Sequence, residues 1–133
     1  MNVQTYLFFD GRCEAALDLY RSAFGAEVTY LMRFKDGPAE LIPDGGEDKI
    51  FHATMRIGDT LINLSDNLRQ ERGSFGGFAL LIHLDSDETA ERVFQALLEG
   101  GNENLTMQQT FWASRYGIIT DRFGVTWKIQ SGG

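Results

Sequence analysis

The segment Cys13-Glu14-Ala15-Ala16-Leu17-Asp18-Leu19-Tyr20-Arg21-Ser22-Ala23-Phe24 places Ala16, Leu19, Tyr20 and Ala23 at i, i+3, i+4 and i+7. That spacing lines one face of an α-helix with apolar side chains. The same pattern returns in Ala90, Val93, Phe94 and Leu97, at a constant offset of 74 residues (16 to 90, 23 to 97). Such a recurrence is an internal repeat, so the fold is read as a duplicated module.

Working outward, each helix is preceded by an apolar, strand-like run, Val3 to Phe9 in the first copy and Phe78 to Leu84 in the second. Asp10-Gly11 ends the first run with turn chemistry, and Gly25 stops the first helix as a left-handed C-terminal cap. Glu27 to Lys35 reads as the second strand. Asp36 to Lys49, with Gly37-Pro38, Pro43 and Gly45-Gly46, is a long polar loop of the kind that closes over a site or fills a partner's groove. Ile50 to Ile57 and Thr60 to Ser65 are strands joined by Gly58-Asp59, a hairpin signal.

In the second copy, Asp85 is expected to cap the helix, with Glu88 three residues on as its capping-box partner, and Gly100-Gly101 ends the helix after about Glu99. Strands at Leu105 to Thr110, Arg115 to Thr120 and Val125 to Gln130 complete the copy, with Asp121-Arg122-Phe123-Gly124 as the last hairpin turn. The expected organisation is module one over about 1–66, a polar linker over about 67–77 containing Arg69, Glu71 and Arg72, and module two over about 78–131. The fold class is α+β, two tandem βαβββ modules sharing one domain. Any ligand site is expected where the halves meet.

Bulk properties bound the function. With 133 residues and 43% hydrophobic content the chain supports one ordinary globular domain. No apolar run approaches the roughly 18 residues of a membrane-spanning helix. Met1-Asn2-Val3-Gln4 lacks the basic and apolar regions of a signal peptide, and the lone Cys13 has no intramolecular partner, so a cytoplasmic location is expected. Cys13 itself reads as a packed thiol more readily than as a reactive one. A net charge of −7, with twelve scattered Lys and Arg, argues against nucleic acid, which requires concentrated basic surface.

Particular stretches carry a family resemblance. Tyr6-Leu7-Phe8-Phe9-Asp10-Gly11 followed by Glu14-Ala15-Ala16 and Tyr20 resembles the start of the PhnB-like branch of the vicinal oxygen chelate superfamily, which holds glyoxalases, extradiol dioxygenases and antibiotic-sequestering resistance proteins. So do Asp48-Lys49-Ile50-Phe51-His52-Ala53 and Thr110-Phe111-Trp112-Ala113-Ser114-Arg115-Tyr116-Gly117 continuing to Thr120-Asp121-Arg122-Phe123-Gly124-Val125-Thr126-Trp127. The resemblance implies curled, mainly antiparallel sheets around a concave cavity, commonly in a homodimer. Members of the branch often carry the name of a demethylubiquinone methyltransferase. No Gly-rich loop with a following acidic residue supports a methyl-donor site here.

The resemblance also implies where a divalent metal sits in catalytic members, on His and Glu of inward strand positions with one coordination site open to substrate. On this chain those positions fall near Gln4, Asn63, Phe78 or Ala79, and Lys128, none of them a His or a carboxylate. The only histidines are His52 and His83, and a lysine facing the cavity repels a cation. No catalytic metal is therefore expected. Gln4, Asn63 and Lys128 are polar residues within otherwise apolar strands, which fits a polar cavity; strand edges or a solvent face account for them almost as well.

His52 is the candidate general acid or base, on one strand face with Thr54 and Arg56, and a structural hydrogen bond is its blander role. His83 beside Asp85 reads as a surface or capping residue. Trp112, Arg115 and Tyr116 combine aromatic faces with a planar cation, suited to a flat anionic ligand or equally to a dimer contact. Tyr6 and Phe8 share the face of Gln4 and either wall the cavity or simply pack. Trp127 alternates with Lys128 and belongs to the core, while Asp121 and Arg122 serve their turn.

The first expectation is thus a homodimeric small-molecule-binding protein, with Gln4, Tyr6, Phe8, Asn63, Trp112, Arg115, Tyr116 and Lys128 as ligand contacts. A metal-dependent lyase, isomerase or dioxygenase using His52 on a substrate with adjacent oxygens is the alternative. A resistance protein that sequesters a planar or cationic drug is the third reading. Whether the chain is an enzyme stays open at this level.

Overall fold

The computed structural model describes residues 1–68 and 75–133, so the expected cluster of Arg69, Glu71 and Arg72 lies outside the described residues. It divides into two compact units, Met1–Gly73 and Ser74–Gly133. The first contains β1 (Thr5–Phe9), α1 (Cys13–Phe24), β2 (Glu27–Arg33), β3 (Ile50–Ile57) and β4 (Thr60–Asp66). The second repeats the series as β5 (Leu80–Leu84), α2 (Asp87–Leu98), β6 (Asn102–Gln108), β7 (Arg115–Thr120) and β8 (Thr126–Ser131). This is the expected βαβββ duplication, with helices of twelve residues in both copies.

The strand orders repeat too: β1-β4-β3-β2 in one sheet and β5-β8-β7-β6 in the other. Each sheet is mixed, its first strand pairing in parallel with its last and the other pairs antiparallel. In the first unit Leu7 aligns with Leu64 and Leu64 with Ala53, and all three are buried on the face that α1 covers with Ala16, Tyr20 and Ala23. In the second, Ile129, Trp127 and Ile119 do the same under Ala90, Val93 and Phe94 of α2. Burying each of the larger side chains contributes about 1.5–3 kcal/mol. Trp127 is a core residue as expected, and its indole N–H donates to Asp121 Oδ2 at 3.0 Å.

Alternation sends the intervening residues to the opposite face of each sheet. Gly117 shows why α2 lies so close to β7. A Cβ there would meet Met107 Sδ at 2.7 Å and Phe94 Cε2 at 2.8 Å.

The helix starts are held by one device used in two forms. In the first unit Asp66, at the end of β4, accepts from the backbone N–H of Gly11, Cys13 and Ile50, each at 2.9 Å. In the second the acid sits on the helix instead, and Asp87 accepts from the hydroxyls of Ser114 and Ser131, the latter at the end of β8. Those two bonds hold the Asp87 carboxyl below the usual carboxylate range. Cys13 is fully buried, and burial, with Asp66 and Glu14 nearby, pushes its thiol far up, in line with a packed, unreactive role.

Three sequence expectations shift. The cap of α2 is Ser86, whose extended backbone lets Oγ accept from Thr89 N–H at 3.1 Å, one position later than the Asp85 capping box. Strand β6 begins at Asn102 and ends at Gln108, because an edge strand keeps its backbone ladder on one side while polar Asn102, Glu103 and Asn104 face water. Strands β1 and β5 open at Thr5 and Leu80, two residues later than the apolar runs suggest, where pairing with β4 and β8 begins. The loop from 34 to 49 carries two short 3-10 turns, Phe34–Asp36 and Ala39–Leu41. Among the described residues no helix is long and apolar enough to cross a membrane.

Candidate functional site

The face of the first sheet turned away from α1 is set by strand register. Tyr6 aligns with Asn63, Asn63 with Thr54, and Thr54 with Tyr30, so one row crosses all four strands. Phe8 aligns with Ser65 and Met32 with His52 in the next row. Four of the polar candidates, Gln4, Tyr6, His52 and Asn63, meet here together with Thr54.

Tyr6 Oη lies 2.9 Å from His52 Nδ1, and His52 Nε2 lies 3.4 Å from Thr54 Oγ1. Thr54 donates its hydroxyl to Asn63 Oδ1 at 3.0 Å, and Asn63 Nδ2 donates to Gln4 Oε1 at 2.8 Å. The directions follow from the donors available. With the Thr54 proton on Asn63, Oγ1 is an acceptor, and the tautomer that satisfies both ring contacts has the proton on Nε2 and Nδ1 accepting from the Tyr6 hydroxyl. The imidazole is flanked by two rings, with Tyr6 at 5.6 Å and Tyr30 at 5.7 Å between centroids.

Tyr6 is 41% exposed and Phe8 54%, and their rings stack at 4.9 Å. Phe8 also forms one wall of a pocket of about 200 Å³ at the end of this sheet, with Phe34, Phe51, Leu41 and Pro43 among its other walls. Phe34 and Phe51 pack at 5.4 Å. Leu41 and Pro43 come from the long loop between β2 and β3. Arg33 ties the start of this loop to α1 by a two-pronged pair with Glu14, at 2.6 and 3.1 Å, and this pairing lowers the Glu14 carboxyl from its ordinary value.

The second unit distributes its candidates differently. Trp112 meets Tyr116 edge to face at 5.0 Å, but Arg115, one residue earlier on β7, faces α2, where Nε reaches Glu91 at 3.2 Å. Strand alternation thus separates Arg115 from the two aromatics. Lys128 aligns with Leu81 and Ile118 on the face away from α2, an aliphatic setting without the hydrogen-bonded chain of the first unit. His83 is exposed on the same face, aligned with Gln130.

The side chains of Gln4, Asn63 and Lys128 are poor ligands for a divalent metal. In the first unit Gln4 and Asn63 are neutral amides bonded to each other, and in the second the corresponding candidate is the ammonium of Lys128. Among the described residues no three His, Cys, Asp or Glu side chains gather closely enough to hold an ion. Neutral amides and an ammonium do not fit the His and carboxylate set such a centre needs.

Sequence reasoning passed over Tyr30, Phe34, Phe51, Leu41 and Pro43. Tyr30 was legible in principle, since it alternates with Leu31 on a strand already identified; the loop holding Leu41 and Pro43 reads as a cover, but which strand residues it meets is decided only in the folded chain.

A duplicated βαβββ chain with an exposed, hydrogen-bonded face on one sheet defines a glyoxalase-like α+β protein. The family model for the glyoxalase/bleomycin resistance protein/dioxygenase superfamily matches residues 2–129, and the chain belongs to that superfamily. It is 35% identical to Protein YjdN of Escherichia coli strain K12, over 98% of this chain and 95% of that one. Protein PA1353 of Pseudomonas aeruginosa has a crystal structure that superposes with a TM-score of 0.89 at 34% identity, covering 99% of this chain and 98% of the other. A PhnB protein from Bacillus cereus shares the fold at 22% identity and a TM-score of 0.86, over 99% and 100% of the two chains.

Proposed function

We propose that this chain is a PhnB-like binding protein for a flat organic molecule, acting as a cytoplasmic homodimer and without a catalytic metal. The carrying observation is the hydrogen-bonded row of Gln4, Asn63, Thr54, His52 and Tyr6, set beside the Phe8, Phe34 and Phe51 pocket. Polar groups that orient a ligand next to aromatic walls that bury its body are the usual make-up of a small-molecule site. Two of the positions that the superfamily resemblance assigns to metal ligands belong to this row as amides. The PhnB-like assignment rests on the motifs around Tyr6, His52 and Arg115, and dimerisation on exposed Phe78, Leu81, Phe111 and Trp112.

Calorimetry on chelator-treated protein tests the reading. Titration with 2-naphthol is expected to give saturable binding that Phe51→Ala weakens about tenfold or more, as loss of an aromatic wall predicts. Titration with iron(II), manganese, nickel or zinc is expected to give no stoichiometric site. Tight metal binding that His52→Ala abolishes, or naphthol binding indifferent to Phe51, overturns the proposal.

A further inference from the structure

We infer that Tyr6 and His52 form a metal-free acid–base pair that moves a proton to and from a carbon beside a carbonyl group, so that the face catalyses enolisation or isomerisation of a flat ketone. The inference rests on the preceding reading that such a molecule lies on this face, and adds a reaction to it.

Three features carry it. The first is direction. Thr54 donates to Asn63, and the tautomer with the His52 proton on Nε2, toward Thr54 Oγ1 at 3.4 Å, aims the lone pair of Nδ1 at the Tyr6 hydroxyl 2.9 Å away. The second is tolerance of both protonation states. When Nδ1 gains a proton it donates back to Tyr6 Oη while Nε2 keeps Thr54, so charging the ring breaks no bond. Tyr6 and Tyr30 flank the ring as tilted aromatic neighbours, with centroids 5.6 and 5.7 Å from the imidazole. The third is placement. Tyr6 and Phe8 lie at alternate residues of one face of β1, roughly 7 Å apart along the backbone, and Gln4, just before the strand, continues that spacing. Gln4 is exposed, and with Oε1 accepting from Asn63 its amide nitrogen has N–H donors to offer a ligand.

The step balances without a co-reactant. The C–H bond beside the carbonyl breaks, and its proton passes to Tyr6 Oη as the phenolic proton passes to His52 Nδ1. The carbon's electron pair forms the C=C bond, and the carbonyl π-pair moves onto oxygen, where the Gln4 amide N–H donates to it. Return of a proton to that oxygen gives the enol; return to a conjugated carbon gives the isomer. Nothing is oxidised or reduced.

The probe is 2-tetralone, an uncharged bicyclic ketone, with exchange of its C1 protons in deuterium oxide followed by proton NMR and binding followed by saturation transfer on the same samples. Wild-type protein is expected to accelerate exchange above the buffer rate. Tyr6→Phe, which keeps the ring on Phe8, and His52→Gln, which keeps a polar partner, are each expected to lose about a hundredfold of that acceleration, the scale of a general base, when compared at probe concentrations where saturation transfer shows equal occupancy. Saturation transfer without accelerated exchange, or exchange as fast in Tyr6→Phe as in wild type, refutes the acid–base role and leaves the binding site standing. Absence of saturation transfer from wild-type protein overturns the binding reading and this inference with it.

Discussion

Asp66 offers a sharp test of what holds the first unit together. Its side chain is 3% exposed and accepts three backbone N–H groups at 2.9 Å, Gly11 and Cys13 on Oδ1 and Ile50 on Oδ2. These bonds pin the β1–α1 turn and the end of the long loop to the last strand. Asp66→Asn changes almost no volume. With Oδ1 kept on Gly11 and Cys13, the new amide nitrogen faces the Ile50 N–H, donor against donor. Ile50 is fully buried, so its N–H goes unsatisfied, at a cost of about 1–3 kcal/mol. The two surviving bonds lose a charged acceptor, about 1 kcal/mol each on the difference between charged and neutral hydrogen bonds. The expected loss is about 4 kcal/mol, a large share of the roughly 5–15 kcal/mol that a domain has.

Urea unfolding supplies the total, and native-state amide exchange supplies the location, since Gly11, Cys13 and Ile50 should lose protection while Ile119 and Ile129 in the second unit keep theirs. A loss under about 1 kcal/mol, or unchanged exchange at those three amides, would mean that the bonds are not what fixes the turn. The same variant bears on the site, because Asp66 also lines the pocket beside Phe8 and Phe51.

Two further outcomes follow from the packing and the charges. Gly117→Ala should cost about 1–3 kcal/mol in thermal or urea denaturation, because its methyl meets Met107 and Phe94 within 2.8 Å; Met107→Ala in the same chain should restore part of that loss, and a neutral Gly117→Ala would show that α2 can shift. Glu14, hydrogen-bonded by Arg33, and Asp87, hydrogen-bonded by Ser114 and Ser131, have lowered folded-state values, so their stabilisation is present above the unfolded carboxylate range near about 4 and is lost as pH falls through it toward the depressed values. Melting temperature should therefore drop from about pH 5 to pH 2, more gently in Asp87→Asn, and parallel profiles for variant and wild type would remove Asp87 from the account.

What was legible in the chain was whatever repeats over short distances. Ala16-Leu19-Tyr20-Ala23 and its copy 74 residues on report a buried helix face because 3.6-residue periodicity is a local property. Gly58-Asp59 and Asp121 to Gly124 mark hairpins for the same reason, and both turns stand where the chain suggested. The cap at Ser86 and the polar start of β6 escaped because each was decided by a competition between neighbouring residues that only the folded backbone settles.

The site divides along the same line. Tyr6 and Phe8 share a face by alternation within β1, with Gln4 just ahead of it in the same alternation, and so do His52 and Thr54 within β3. The sequence alone therefore determined the duplicated βαβββ modules and these short sets. That Tyr6 meets His52, forty-six residues away, and that Asn63 joins Thr54 to Gln4, depended on the register of β1, β4 and β3. A one-residue slip in any of these pairings would turn half the row into the core under α1. Long-range strand pairing is settled by packing the whole sheet against its helix, and for that reason tertiary structure alone decided which polar residues became a network and left Arg115 facing Glu91 instead.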